Sequence, residues 1–142
     1  MQIEINYDFE RENLKYKAED AVKASLSALE EGIVEGGGMT LYRISEKMAN
    51  KSIGEQILKS VLKSPLKKII ENSGKEYADI IKRLPIDQGY DAKNDKFVNM
   101  VESGIIDPTK VERCAVENSI SAATEFITSF CAITEEQNVE KK

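Results

Sequence analysis

Apolar residues recur along most of the chain at a spacing close to 3.6, which predicts a mainly α protein with five or six helices. The first helical stretch begins near Arg11 and runs to about Glu35. Further helices are predicted over 39–50, 51–71, 76–84 and 108–131. We expect a break after Ser64, because Pro65 cannot continue a helix without losing a hydrogen bond.

Two segments depart from this helical spacing. Residues 1–10 alternate apolar and polar side chains, which predicts an N-terminal strand with one apolar face. Residues 89–98 hold two short runs separated by a polar turn with Asn94-Asp95 at its tip, which predicts a small β-hairpin. The charged end, 135–142, is predicted to be a tail without fixed structure.

The last predicted helix carries apolar residues on more than one face, which indicates that it is buried at the centre of the domain. Alanine in place of Phe126 or Ile127 is then expected to cost about 2–5 kcal/mol. The start of this helix is marked by Asp107 and Pro108, since aspartate is a favoured N-cap and proline a favoured first residue.

Composition narrows the classes of protein. The chain has 142 residues, 41% of them hydrophobic, and a net charge of −5, which is typical of one soluble globular domain. The negative charge disfavours nucleic acid or an anionic membrane as the main partner. No apolar run approaches the roughly 20 residues of a membrane span, and the acidic N-terminus lacks the apolar core of a signal peptide. The chain has no histidine, which excludes histidine-based acid–base and zinc chemistry, and we predict no metal site from its own residues.

Three consecutive glycines, Gly36, Gly37 and Gly38, follow the first helical pattern. One glycine suffices to end a helix, so the run invites two interpretations. It could be a generous helix cap and flexible connector. It could also be a loop that lets a ligand approach the backbone where no Cβ stands in the way.

The residues around the glycines, V-K-A-S-L-S-A-L-E-E-G-I-V-E-G-G-G-M-T-L, resemble the nucleotide loop of GroEL-type (group I) chaperonins. The resemblance continues in order through S-P-L-K-K-I-I-E-N-S-G, Q-G-Y-D-A and G-I-I-D-P-T-K-V. It implies the C-terminal half of the equatorial (ATP-binding) domain over 21–134. The end of the intermediate domain, with a strand and a helix start, would precede it over 1–20.

The resemblance also implies roles for single residues. Asp20, in E-D-A, would orient or deprotonate the water that attacks the γ-phosphate, a task that needs a positioned water more than a strong base. The nucleotide would be contacted by Gly36, Gly37, Gly38, Asp91, Ala92, Lys93 and Asp107. From the residues alone, Asp20 can equally be a solvated acid. Asp107 can likewise be a helix cap alone, or serve in both roles.

The sequence departs from the family in several places. Its pocket turn reads Tyr90-Asp91-Ala92-Lys93 where the family has Y-N-A-A, so Asp91 lacks the amide donors of asparagine and adds a negative charge. Leu26 stands where arginine is usual. The family's phosphate-binding loop, its magnesium-binding aspartate motif and its client-binding domain have no counterpart in these residues.

Two functions therefore stay open. The first is part of an ATP-dependent chaperonin that assists protein folding in the bacterial cytoplasm or an organelle matrix. In that case ATP with Mg²⁺ is bound and hydrolysed only together with the N-terminal half, other subunits complete a ring, and unfolded clients bind the absent domain. The alternative is a non-catalytic helical interaction module, derived from a chaperonin, that pairs with a ring or with itself.

Overall fold

The computed structural model describes the backbone of residues 2–129 and the side chains of residues 9–129. Within that part, the chain forms six helices and four short strands. The helices are α1 (Gln2–Glu31), α2 (Met39–Lys47), α3 (Ile53–Leu62), α4 (Ser64–Asn72), α5 (Tyr77–Arg83) and α6 (Thr109–Thr128). The strands are β1 (Ile33–Glu35), β2 (Gly89–Asp91), β3 (Lys96–Val98) and β4 (Ile106–Pro108).

The strands form two separate antiparallel pairs. β2 and β3 make the hairpin, with Tyr90 opposite Phe97. β1 pairs with β4, far along the chain, with Val34 opposite Asp107. This second pair joins the end of α1 to the start of α6, so α1 and α6 pack against each other at that end.

The core lies between α2, α4, α5 and the hairpin. Its buried members are Met39, Leu66, Ile70, Ile80, Tyr90 and Met100. The hairpin closes over this core tightly, because a Cβ on Gly89 would lie only 2.5 Å from Cγ of Met100. Most of α1, and the part of α6 beyond Val116, extend away from this body with exposed side chains.

The predicted N-terminal strand is wrong, because residues 2–10 are the first turns of α1. A strand needs a neighbouring strand for its backbone hydrogen bonds, and no described strand pairs with this segment. A helix satisfies those bonds internally, and each residue added to an existing helix gains one. In residues 2–10, continuity with the helix that follows therefore outweighs the alternation of apolar and polar side chains.

The predicted end of the first helix is also wrong. α1 stops at Glu31, where Gly32 takes a φ of 80° and its amide donates to the carbonyl of Ala28 at 2.8 Å. Residues 33–35 then form β1, which the helical pattern did not predict. The three glycines therefore do not cap this helix; they connect β1 to α2.

The last helix is not the buried centre of this structure. α6 contains no buried residue, and Phe126 and Ile127 are 75% and 82% exposed. The helix begins at Thr109 with Pro108 at the N-cap position, so Asp107 belongs to β4 and does not cap it. Cys114 lies on α6 as a half-buried thiol, whereas Cys131 and the predicted tail lie outside the described residues.

The predicted hairpin and the predicted break near Pro65 are confirmed. α3 and α4 are separated at Lys63, one residue before the predicted position, and Pro65 occupies the first turn of α4. The hairpin turns at Asp95, whose φ of 52° is the one positive value among the described non-glycine residues. Across residues 2–129, no helix combines the length and the apolar character needed to cross a membrane.

Candidate functional site

Each of the three glycines has its own packing reason. A Cβ on Gly36 would lie 3.1 Å from Oδ2 of Asp107 on β4. Gly37 has a φ of 65°, and Gly38 has a φ of 75° and lies against the backbone of Leu66. The amide of Gly36 donates to the carbonyl of Ile105 at 3.0 Å, which extends the β1–β4 pairing. The run is thus an ordered connection rather than a loose linker.

One side of this connection borders a cavity of about 430 Å³. The cavity is lined by Gly37, Ile69, Tyr90, Asp91, Ala92, Lys93, Asn94, Ser103 and Ile105. Isoleucine and alanine side chains give it apolar walls, and Lys93 and Ser103 add an ammonium and a hydroxyl. The structure therefore brings Gly37 and the predicted residues of the 91–93 turn to one concave surface. An apolar cavity with a few polar groups and an open backbone suits the sugar and base of a nucleotide.

Part of the wall of this cavity is the tight turn after β2. Asp91 is 9% exposed, and its Oδ1 accepts hydrogen bonds from the amides of Lys93 and Asn94 at 3.0 and 3.2 Å. Its Oδ2 accepts from Nδ2 of Asn94 at 2.6 Å. The Asn94 side chain, with these two amides, holds the pKa of Asp91 below its usual value. The turn is therefore fixed by an ionised aspartate.

A second carboxylate anchors the same turn to the body of the protein. Asp95 accepts from Nζ of Lys75 at 2.6 Å and from the hydroxyl of Tyr90 at 2.9 Å. Lys75 first, and Tyr90 second, keep the pKa of Asp95 below its ordinary value. The sequence predicts a turn at Asn94-Asp95 but not these partners, because Lys75 lies twenty residues earlier, just beyond α4, and Tyr90 lies on β2.

Asp107 lies beside the cavity and does not line it. Its carboxylate approaches Gly36 and borders a separate, smaller cavity of about 180 Å³ between β4 and α1. Burial, with the nearby charge of Asp107 as the second cause, raises the pKa of Glu112, one turn into α6. The carboxyl group of Glu112 and that of Asp107 therefore interact where β4 enters α6.

Asp20 is exposed on α1 and lines neither cavity. It precedes Ala24 and Ala28 by one and two helical turns, and both alanines border the small cavity next to Asp107. Residues four apart share a helix face, so Asp20 lies on the face of α1 that continues from that cavity, roughly 6 Å further along the axis. Asp20 therefore lies one helical turn from the small cavity that Asp107 borders, whereas the 91–93 turn lines the larger cavity.

Arg43 holds the glycine connection in place, and sequence reasoning did not find it. Its Nε donates to Oε2 of Glu35 at 2.6 Å, and its Nη2 donates to the carbonyl of Gln88 at 3.0 Å. Nη1 donates to the carbonyl of Ile86. One guanidinium therefore ties β1 to the chain that enters the hairpin. The acidic and basic partners are eight positions apart on different elements, so no spacing rule indicates the pair.

Comparison with known proteins identifies the family. The sequence profile of the TCP-1/cpn60 chaperonin family matches residues 6–136 of this chain. The chain belongs to the TCP-1/cpn60 chaperonin family. The predicted resemblance to chaperonins is therefore confirmed, as is the mainly α fold class.

Curated relatives and a solved structure agree with this family. The chain is 38% identical to "Chaperonin GroEL, chloroplastic" of Cyanidioschyzon merolae, over 93% of this chain and 27% of the relative. It is 36% identical to "RuBisCO large subunit-binding protein subunit beta-1" of Chlamydomonas reinhardtii, over 99% of this chain and 35% of the relative. A group III chaperonin in the open state, 22% identical, superposes with a TM-score of 0.64 over 75% of this chain and 25% of that one. The chain spans between a quarter and about a third of the length of these proteins.

Proposed function

We propose that this chain is part of an ATP-dependent chaperonin that assists protein folding, and that it contributes one wall of the nucleotide pocket. The observation that carries the proposal is the cavity lined both by Gly37 and by the turn that contains Asp91, Ala92 and Lys93. In this proposal the cavity and Asp107 hold the sugar and base, and Asp20 acts on the attacking water. The protein works in an organelle matrix or the bacterial cytoplasm.

The chain's own residues are suited to only part of the chemistry. Backbone and small side chains at Gly37 and Ala92 leave room for a flat ligand, and Asp20 can accept a proton from water or orient it. Mg²⁺ and a phosphate cradle would supply charge neutralisation at the transferred group, and that requires residues beyond these. Among residues 9–129, no three acidic or cysteine side chains gather closely enough to hold a metal ion. We therefore place metal and phosphate binding on the N-terminal half of the family's fold.

The apolar surface of the chain supports the same proposal. Ile53, Ile57 and Val61 form an exposed stripe at four-residue spacing on α3 and are 57–76% exposed. Beside the stripe, α2, α3 and α6 enclose a largely apolar groove of about 590 Å³. Uncovered apolar surface of this kind marks an interaction site. We propose that the rest of the equatorial domain covers it, and that other chaperonin subunits and client proteins are engaged by the completed protein.

The domain limits are part of the proposal. Residues 21–134 would correspond to the C-terminal half of the equatorial domain, and residues 1–20 to the end of the intermediate domain. α1 runs without interruption through residue 20, so this boundary lies inside one helix. Such a helix would transmit a change at Asp20 directly to the segment that precedes it.

The test combines this chain with the N-terminal half of a chaperonin relative, produced as a separate polypeptide. Phosphate release from ATP and ADP affinity are measured for each part alone and for the mixture. We expect no measurable ATP hydrolysis and only weak nucleotide binding by the 142-residue chain alone, and turnover by the mixture.

In the active mixture, Asp20→Ala should lower turnover by about 10²-fold or more and leave ADP affinity unchanged, because the carboxylate acts in the transition state. Glu12→Ala, an exposed carboxylate two turns earlier on the same face of α1, is the matched control and should have no effect. Robust turnover by the isolated chain, or normal turnover by the Asp20→Ala mixture, would contradict the assigned chemistry. A mixture that assembles but neither binds nor hydrolyses ATP would favour the non-catalytic interaction module.

A further inference from the structure

The turn between β2 and β3 contains the carboxylate of Asp91, which accepts its hydrogen bonds from residues of the same turn. Both oxygens of Asp91 accept hydrogen bonds, two from the amides of Lys93 and Asn94 and one from the Asn94 side chain. The side chain is nearly buried, at 9% exposure. Asp91 therefore faces the inside of its turn although it borders the cavity.

We infer that Asp91 is a positioning residue, which with Asn94 fixes the turn that places Lys93 at the cavity that Gly37 also lines. The relevance to a ligand rests on the proposed function, whereas the fixing of the turn does not. Two successive amides donate to one oxygen, so the peptide planes around Lys93 have a single orientation. Lys93 can then present its ammonium to a ligand that carries an anionic group without a large ordering cost.

The pairing of Asp91 with Asn94 is specific. An asparagine at position 91 could still accept the two backbone amides through its oxygen, but Asn94 would have to turn its own amide over to accept from the new NH₂. A bond between two neutral amides would then replace the charge-assisted bond to the carboxylate, which is about twice as strong. The aspartate at position 91 is therefore matched to the asparagine at position 94.

The match predicts the outcome of a reciprocal exchange of the two side chains. Asp91→Asn replaces the charge-assisted bond by a neutral one and should loosen the turn. In the double variant Asp91→Asn/Asn94→Asp, the Nδ2 of position 91 donates to the carboxylate of position 94, which restores the bond with its direction reversed. If Asp91 only filled space, neither loss nor rescue would be expected, because aspartate and asparagine have almost the same side-chain volume.

The experiment is site-resolved amide hydrogen exchange of residues 93 and 94 in the 142-residue chain at pH 7. We expect exchange to accelerate by about tenfold or more in Asp91→Asn, and to return close to the wild-type rate in the double variant. Asp87→Asn, which changes an exposed aspartate just before the hairpin, is the matched control and should leave both rates unchanged. If Asp91→Asn exchanges as slowly as wild type, or the double variant stays fast, the inference is refuted.

A second measurement connects the turn to the ligand, with ADP as the probe and the chain combined with the N-terminal half. Affinity should fall by about tenfold in Asp91→Asn and recover in the double variant, while Lys93→Met should weaken ADP binding without changing the exchange rates. Absence of ADP binding by the wild-type mixture would refute the proposed function, and the exchange rates would still decide the role of Asp91. Should Asp91→Asn fail to fold, the double variant alone decides: slow exchange supports the pairing, and fast exchange in a folded chain refutes it.

Discussion

Gly38 offers the sharpest test of the packing at the glycine connection. A Cβ at this position would lie 2.7 Å from the backbone nitrogen of Leu66 and 3.1 Å from its Cα. Leu66 is fully buried in the first turn of α4, so its backbone cannot retreat without moving the core. Gly38 also has a φ of 75°, a conformation that alanine adopts only with strain.

The two effects can be given magnitudes. Left-handed backbone costs a residue with a Cβ about 1–2 kcal/mol. Steric overlap in a packed region costs about 1–3 kcal/mol more, because the atoms in contact belong to the backbone. Gly38→Ala should therefore destabilise the chain by about 2–5 kcal/mol, a large part of the roughly 5–15 kcal/mol that a whole domain possesses.

Gly74 provides a matched control for the strain alone. Its φ is 77°, nearly that of Gly38, and no atom lies within 4 Å of the Cβ position. Gly74→Ala should cost only about 1–2 kcal/mol. The measurement is urea unfolding of wild type and both variants in the 142-residue chain, monitored by circular dichroism. The three curves are fitted with a common slope of unfolding free energy against urea concentration. Equal losses of unfolding free energy in the two variants would refute the close approach of Gly38 to Leu66.

Two further predictions concern stability. Phe126→Ala and Ile127→Ala should each change the unfolding free energy of the isolated chain by no more than about 0.5 kcal/mol, because both side chains are exposed; urea titration of the two variants checks this. Burial and the nearby Asp107 raise the pKa of Glu112. The protonated side chain therefore contributes to the free energy of unfolding below the ordinary value of 4.5, and this contribution is lost as pH rises through the raised pKa. Glu112→Gln should therefore raise the melting temperature at pH 7 more than at pH 4, and an equal shift at both would contradict the raised pKa.

Local features of the fold could be predicted because their signals are local. Pro65 removes a backbone donor and sets its own φ, so the separation of α3 from α4 needs no information from elsewhere. The hairpin follows from two short runs around a polar tip, where Asp95 tolerates positive φ. Each of these decisions is made by residues within a few positions of one another.

The β1–β4 pair could not be predicted in the same way. Its strands have three residues each, and Ile33 pairs with Pro108 from the other end of the described chain. A run of three residues has no measurable period, and the preceding helix pattern extends into it without a break. Gly32, a single glycine with a φ of 80°, ends α1 before the run of three glycines is reached.

The candidate site was predicted through resemblance rather than through chemistry. Gly37, Asp91, Ala92 and Lys93 share a cavity, but nothing in their spacing brings them together, since α2 to α5 intervene. Their contact with a nucleotide remains a prediction. The carboxylate of Asp91 is the instructive case, because its loss of amide donors suggested a damaged pocket. In the structure the side chain serves its own turn, which needs acceptors only.

The wrong prediction that α6 is buried tells the most about the protein. Its apolar residues cover more than one face, a pattern that indicates burial, yet every residue of Thr109–Thr128 keeps at least part of its surface open. Sequence patterns are selected in the complete fold, whereas burial in this structure counts only neighbours within these residues. Where the apolar pattern of α6 indicates burial and the structure shows exposure, the difference indicates surface that packs against residues outside the described part. The groove between α2, α3 and α6 and the exposed stripe on α3 are further apolar surface that the described residues leave uncovered. A helix pattern that the described residues leave uncovered is thus a physical argument for a larger chaperonin domain around them.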